Sequence, residues 1–230
     1  MKKYLVCLFL TSQMFALGGI GVYGNSDMFS STPPSSSNTS GTVTVTPEIL
    51  EGGIGAGVFL YLDILPIVDI ELNGELVGNL YKFSTNLAPE SPGEFPWGRT
   101  SAYLTLRKKI IAIGVPFLVK LQLNGGLGYN VHSVTPNVTV DFIENAFAST
   151  TNNLEEAASQ DFGQDDIMDS LAEYMIDNSI STSGFHIQFG AHAKVLMFNV
   201  FANARYTIAE NVVEGESGFP SAWLGLAIGF

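Results

Sequence analysis

Read at every second residue, much of this chain sorts into an apolar set and a polar set. The longest such run is Phe117–Val131. Phe117, Val119, Leu121, Leu123, Leu127, Tyr129 and Val131 share one side, interrupted only by Gly125. Lys120, Gln122, Asn124, Gly126, Gly128, Asn130 and then His132 share the other. Successive side chains of a strand point to opposite faces, so this run is a two-faced β-strand. It is longer than the usual ~5–6 residues. The same alternation recurs over 54–62, 68–83, 102–113, 185–197, 198–208 and 222–230, with a phase flip at Phe198–Asn199 that marks a tight hairpin. A weaker run, Thr42–Leu50, carries Pro47, which demotes it to a strand end or a marginal strand.

Alternation alone does not say which face meets solvent, because a soluble lipocalin-type barrel has the same pattern turned inside out. Composition bears on that choice. Charged residues make up 14% of the 230, against ~25% for an ordinary soluble domain. The net charge of -12 argues against nucleic acid, which asks for a basic patch. The one cysteine, Cys7, lies near the N-terminus, which leaves the remainder without thiol or disulfide chemistry. No apolar run reaches the ~20 residues of a membrane-spanning helix, since Asp63, Pro66 and Asp69 interrupt the nearest one. If the chain spans a membrane, it does so with strands.

Residues 1–24 read as a secretory signal peptide: Lys2 and Lys3, an apolar stretch from Tyr4 to Leu17, and small residues at Ala16 and Gly18. Cleavage is expected near Gly18, with Gly24 as a second choice. Residues 25–41, rich in Ser and Thr with Pro33 and Pro34, read as a flexible linker ahead of a barrel over 42–230. The stretches Ser84–Gly98, Ser133–Ser183 and Ala209–Ser221 are expected to be loops. Within the second, Ile167, Met168, Leu171, Ala172 and Met175 fall at helical spacing, which predicts a helix near 165–178.

The last strand, SAWLGLAIGF, alternates apolar residues and closes on Phe230. That ending resembles the C-terminal signature of bacterial outer-membrane β-barrel proteins. The resemblance covers the leader and the strands, and extends to no named family. It implies that the outer-membrane assembly machinery reads this segment, with Phe230 as the terminal mark. It also implies the bacterial outer membrane as the location, and membrane lipids and lipopolysaccharide as neighbours. With Phe230 on the periplasmic side, the short connections Asp63–Pro66, Gly114–Pro116 and Met197–Asn199 all fall in the periplasm and the long ones all face outward, the pattern of these barrels. The expected fold is therefore all-β: an antiparallel, up-and-down transmembrane barrel of about eight strands with a long, partly helical outer loop. Seven strands are clear, and Thr42–Leu50 has to supply the eighth.

Eight strands leave an interior just wide enough for side chains. Asp69, Glu71, Glu75, Arg107, Lys109, Lys120, Lys194 and Arg205 are the inward charges, and Glu71 and Glu75 are expected to pair with some of Arg107, Lys109 and Lys120, because a buried unpaired charge is costly. His132 and His186 face inward on consecutive strands near the outer rim. Imidazole suits zinc, copper or nickel, with Asp141 or Glu144 available to complete a site. No resident cofactor is expected otherwise. From Leu121 to Ala193 there is no Lys or Arg, so the acidic outer loop over 133–183 is a candidate for calcium or for a basic partner. No nucleophile, dinucleotide, zinc-protease or phosphate-loop motif is present. His132-Ser133 is the one pair that fits a lipid-modifying enzyme, and a non-enzymatic role is expected. The three classes in play are a structural or surface-interaction barrel, a small-molecule conduit, and an outer-leaflet lipid-modifying enzyme.

Overall fold

The computed structural model describes residues 18–38, 41, 43–63, 67–86, 93–115, 119–143 and 174–229. Eight long strands carry the architecture. They are β1 (Gly18–Asp27), β2 (Ile54–Leu62), β3 (Asp69–Thr85), β4 (Gly93–Val115), β5 (Val119–Val134), β6 (Ile180–Val195), β7 (Phe198–Ile208) and β8 (Gly218–Gly229). Each pairs antiparallel with the next in sequence, and β1 pairs with β8, so the sheet closes into a ring with no open seam. A row of cross-strand partners that starts at Ser181 and passes through Thr100, Gly24 and Ala202 returns to β6 at Ala191, ten residues further on. That stagger sets the tilt of the strands around the axis.

The first ring strand is Gly18–Asp27, not Thr42–Leu50. Gly18–Asp27 alternates buried Tyr23, Asn25 and Asp27 with outward Ile20, Val22 and Gly24. It therefore occupies part of the stretch expected to be leader and part of the expected linker. Cleavage after Gly24 would remove most of this strand and reopen the ring. Thr44–Pro47 forms a short strand that caps the outer end of β3 and pairs with Ser36–Ser37, while Ser30–Ser31 pairs with Leu50–Glu51. The expected loop at Ser84–Gly98 also shrinks. β3 and β4 stay paired up to Phe83 opposite Gly93, so Phe95 and Trp97 are strand residues. Of the expected helix over 165–178, residues 174–177 are helical and the rest lies outside the described residues; residues 140–143 form another short turn of helix.

The exterior of the ring is apolar. Ile20, Val58, Leu76, Leu127, Phe189 and Leu226 all stand outward and are more than half exposed. A closed ring has no unpaired edge, and every strand can cross hydrocarbon with its backbone groups satisfied. The long connections lie at one end, the outer end, and the short turns at the other.

Above the lumen the outer end carries its own apolar core. Val77, Tyr81, Phe95, Trp97 and Phe219 from the strands pack with Val45, Leu50, Val138, Phe142, Met175, Val212 and Val213 from the connections. Hydrogen bonds stitch the connections together: the amide of Val138 donates to the Tyr81 hydroxyl at 2.9 Å, the amide of Val140 to Ser36 Oγ at 2.9 Å, and Ser31 to the carbonyl of Glu214.

Candidate functional site

The inward residues of the strands build one continuous polar ladder down the lumen. It starts at Asp27, at the outer end of β1. Arg99 Nη2 donates to Asp27 Oδ2 at 2.7 Å and to Glu75 Oε1 at 2.8 Å. The other Glu75 oxygen accepts from the Tyr23 hydroxyl at 2.7 Å and from Arg205 at 3.3 Å. Arg205 Nε reaches Gln188 Oε1 at 3.3 Å, and Gln188 Nε2 donates to Glu71 Oε1 at 3.0 Å. Arg107 closes the ladder, with Glu71 at 3.0 Å and Asp63 at 3.1 Å. Signs alternate along it, interrupted only by the neutral Gln188, and strands β1, β3, β4, β6 and β7 all contribute. Charges taken out of water are tolerated when each is paired and hydrogen-bonded, which is the arrangement here.

Aromatic rings fill the space beside the ladder. Tyr23, Phe59, Tyr61, Phe201 and Trp223 form a second buried cluster. The Arg205 guanidinium lies 3.7 Å from the Tyr103 ring centroid, and Arg107 lies 5.4 Å from that of Phe201. Glycine makes this filling possible. A Cβ at Gly57 would collide with the Tyr23 ring, and one at Gly128 with the Leu104 carbonyl and the His186 ring. Those two positions exchange a side chain for a neighbour's ring.

The eight inward charges expected from the sequence do not form one network. Glu75, Arg205, Glu71 and Arg107 lie on the ladder. Lys109 is at the periplasmic end, 3.3 Å from Asp69 and about a third exposed. Lys120 and Lys194 have no carboxylate within ion-pair distance among the described residues. Glu75 pairs with Arg99 and Arg205, not with Lys109 or Lys120. Arg99, at the edge of an expected loop, and Asp27, in the expected linker, are ladder members outside the expected set, as is Asp63 from the expected turn Asp63–Pro66. The only signal for Arg99 or Asp27 was its odd-numbered phase with its strand neighbours.

The two histidines do not approach as metal ligands. The Tyr103 ring stands beside both, 5.5 Å from His132 and 5.2 Å from His186. His132 Nε2 lies 2.9 Å from Asn130 Oδ1, and its Nδ1 lies 2.7 Å from Ser101 Oγ and 3.3 Å from Arg99. His186 Nε2 lies 2.9 Å from Thr105 Oγ1. Among the described residues no group of three His, Cys, Asp or Glu side chains is placed to hold a metal ion. Asp141 is exposed on the outer turn, and Glu144 lies outside the described residues. His132 and Ser133 cannot work as a pair, because neighbouring strand residues face opposite ways. His132 is buried in the lumen, and Ser133 stands on the outward set with Val131. The calcium site expected in the acidic loop falls largely within 144–173, and Phe230 falls at 230, both outside the described residues.

No protein-family model matches the chain, and no curated protein does. Solved structures do. The outer membrane protein OprG from Pseudomonas aeruginosa is 12% identical, with 92% of each chain covered and a TM-score of 0.47. Neisserial surface protein A is 10% identical over 94% of this chain and 98% of its own, with a TM-score of 0.43. Ail, the attachment invasion locus protein of Yersinia pestis, solved with the heparin analogue sucrose octasulfate, is 13% identical over 93% of this chain and 97% of its own, with a TM-score of 0.37. By its own geometry, a closed ring of eight antiparallel strands with an apolar exterior and a packed polar interior, the chain is a transmembrane β-barrel of the bacterial outer-membrane type.

Proposed function

We propose that the chain works at the cell surface, as a barrel that anchors and presents its outer cap and acidic connections, and that it carries no solute through the membrane. The observation behind this reading is the filled lumen. The ladder from Asp27 to Arg107 and the aromatic cluster around Phe59 occupy the bore, and the apolar core of the outer connections covers it. An eight-stranded ring is just wide enough for its side chains to fill, and here they do. A sideways exit into the bilayer has no support in the pairing, because β1 is hydrogen-bonded to β2 and β8 from Gly19 to Ser26.

The surface presented is acidic. Glu48, Glu51, Glu94, Asp141, Asp177, Glu210, Glu214 and Glu216 lie at the outer end among the described residues, with Lys82 as the exposed cation there. Such a surface draws a basic partner, by an attraction that salt weakens. Planar-bilayer recording of the purified full chain tests the first half of the reading. Silence is expected, and steady unitary currents would replace the display role with the conduit role.

A further inference from the structure

At the periplasmic end, β4, β5 and β6 run on below the rest of the ring. β3 joins β4 only from Asp69 opposite Arg107. β4 and β5 stay paired down to Val115 and Val119, and β5 and β6 to Val119 and Val195. A bulge at Ile110 turns an extra apolar side chain outward and keeps the inner face of this apron in phase with the lumen. Two inner rows follow one another there. The upper is Ala112, Gln122 and His192, and the lower is Gly114, Lys120 and Lys194. Ala112 and Gly114 are exposed and small, so the trough in front of the lysines stays open.

Lys120 and Lys194 are direct cross-strand partners. Like charges placed opposite each other destabilise a sheet. Arg99, Arg107, Arg205 and Lys109 each meet a carboxylate, and these two lysines meet none among the described residues. The carboxylates at this level are already engaged, Asp63 by Arg107 and Asp69 by Lys109. One row deeper, His192 is almost fully buried and stacked on Phe201 at 4.1 Å. Asn199 donates its amide to the Met197 carbonyl, so its Oδ1 accepts from His192 Nε2 at 2.8 Å. His192 Nδ1 is thereby left as a buried acceptor without a partner among the described residues.

We propose that this periplasmic trough binds a phosphate-type anion, with Lys120 and Lys194 on its charged oxygens. A phospholipid headgroup of the periplasmic leaflet and free phosphate share this chemistry. The test is thermal unfolding of the purified full chain at low ionic strength, in two arms. One arm titrates sodium phosphate against chloride of matched ionic strength in neutral detergent. The other compares phosphatidylcholine vesicles with vesicles that also contain phosphatidylglycerol. Anion binding to the folded barrel alone raises its unfolding temperature progressively with concentration. The wild type is expected to respond in at least one arm, and Lys194→Gln in neither. Without any anion, Lys194→Gln is expected to unfold at a higher temperature than the wild type, because the repulsion is gone. A response confined to the vesicles assigns the lipid headgroup, and one confined to free phosphate assigns the soluble ion. No phosphate-specific shift in either arm overturns the proposal. A Lys194→Gln variant that responds like the wild type overturns it as well.

Discussion

Glu75 serves two arginines and a tyrosine from a site whose side chain has no exposure at all, as do Arg99 and Arg205 beside it. Removing it strands the Arg205 guanidinium in the lumen and leaves Arg99 with Asp27 alone. Glu75→Ala is therefore expected to cost roughly 3–5 kcal/mol, the loss typical of breaking a buried ion pair from one side. Lys109 is the contrast. Its ammonium is about a third exposed and meets Asp69 at 3.3 Å, so Lys109→Ala is expected to cost under about 1 kcal/mol. Denaturant unfolding of both variants in the same lipid checks the pair of values. Equal losses would mean that burial does not govern these charges.

Among the elements, β1 and the extended ends of β3 and β4 decide most. β1 closes the ring on both sides, through Gly19 opposite Gly229 and Gly18 opposite Leu62. The mature chain is accordingly expected to begin at or before Gly18, and N-terminal sequencing of protein extracted from membranes would show it. A start at Asn25 would leave β2 and β8 as open edges inside hydrocarbon, where each unsatisfied backbone group costs several kcal/mol. The extended ends bring Trp97 into the outer cap, 5.3 Å from Phe29. Trp97→Ala is expected to loosen the cap by about 3–5 kcal/mol. Limited proteolysis should then cut the outer connections faster, while heat-modifiable gel migration of the barrel persists. Loss of both together would mean that cap and barrel fold as one unit.

For the whole molecule, the decisive property is which face meets lipid. The exterior carries Leu224 midway along β8 and Ile208 at the outer end of β7, both well exposed. An arginine in place of Leu224 is expected to cost about 2–4 kcal/mol, and one in place of Ile208 about 0–1 kcal/mol, because the penalty falls from midplane to interface. Both tryptophans, Trp97 and Trp223, face inward and are 3% exposed. Their fluorescence is expected to resist quenchers carried on lipid tails, whereas strong quenching would turn the barrel inside out. The charge also divides by end, with carboxylates crowding the outer connections and Lys108, Lys120 and Lys194 at the periplasmic rim.

Alternation is a local property, and the strands it governs were legible from the chain itself. The period of two over β5, β6 and β7, the flip at Phe198, and the inward phase of Glu71, Glu75, Arg107 and Arg205 needed no tertiary information. Short turns alternating with long connections were equally plain, and together they determined an antiparallel barrel. β1 is not legible in the sequence because its glycines mute the contrast between faces and its apolar residues run on from the expected leader. Thr42–Leu50 took its place because β-branched residues alternate there too, in a segment that only caps β3. Arg99 and Asp27 are 72 residues apart, and no pattern within either segment says that they meet. Register decided that. Backbone hydrogen bonds between distant strands, summed around the ring, fix which inward residues share a level. The same registers separated His132 from His186 by a tyrosine, set Lys120 against Lys194, and drew Phe95 and Trp97 out of a presumed loop into the cap.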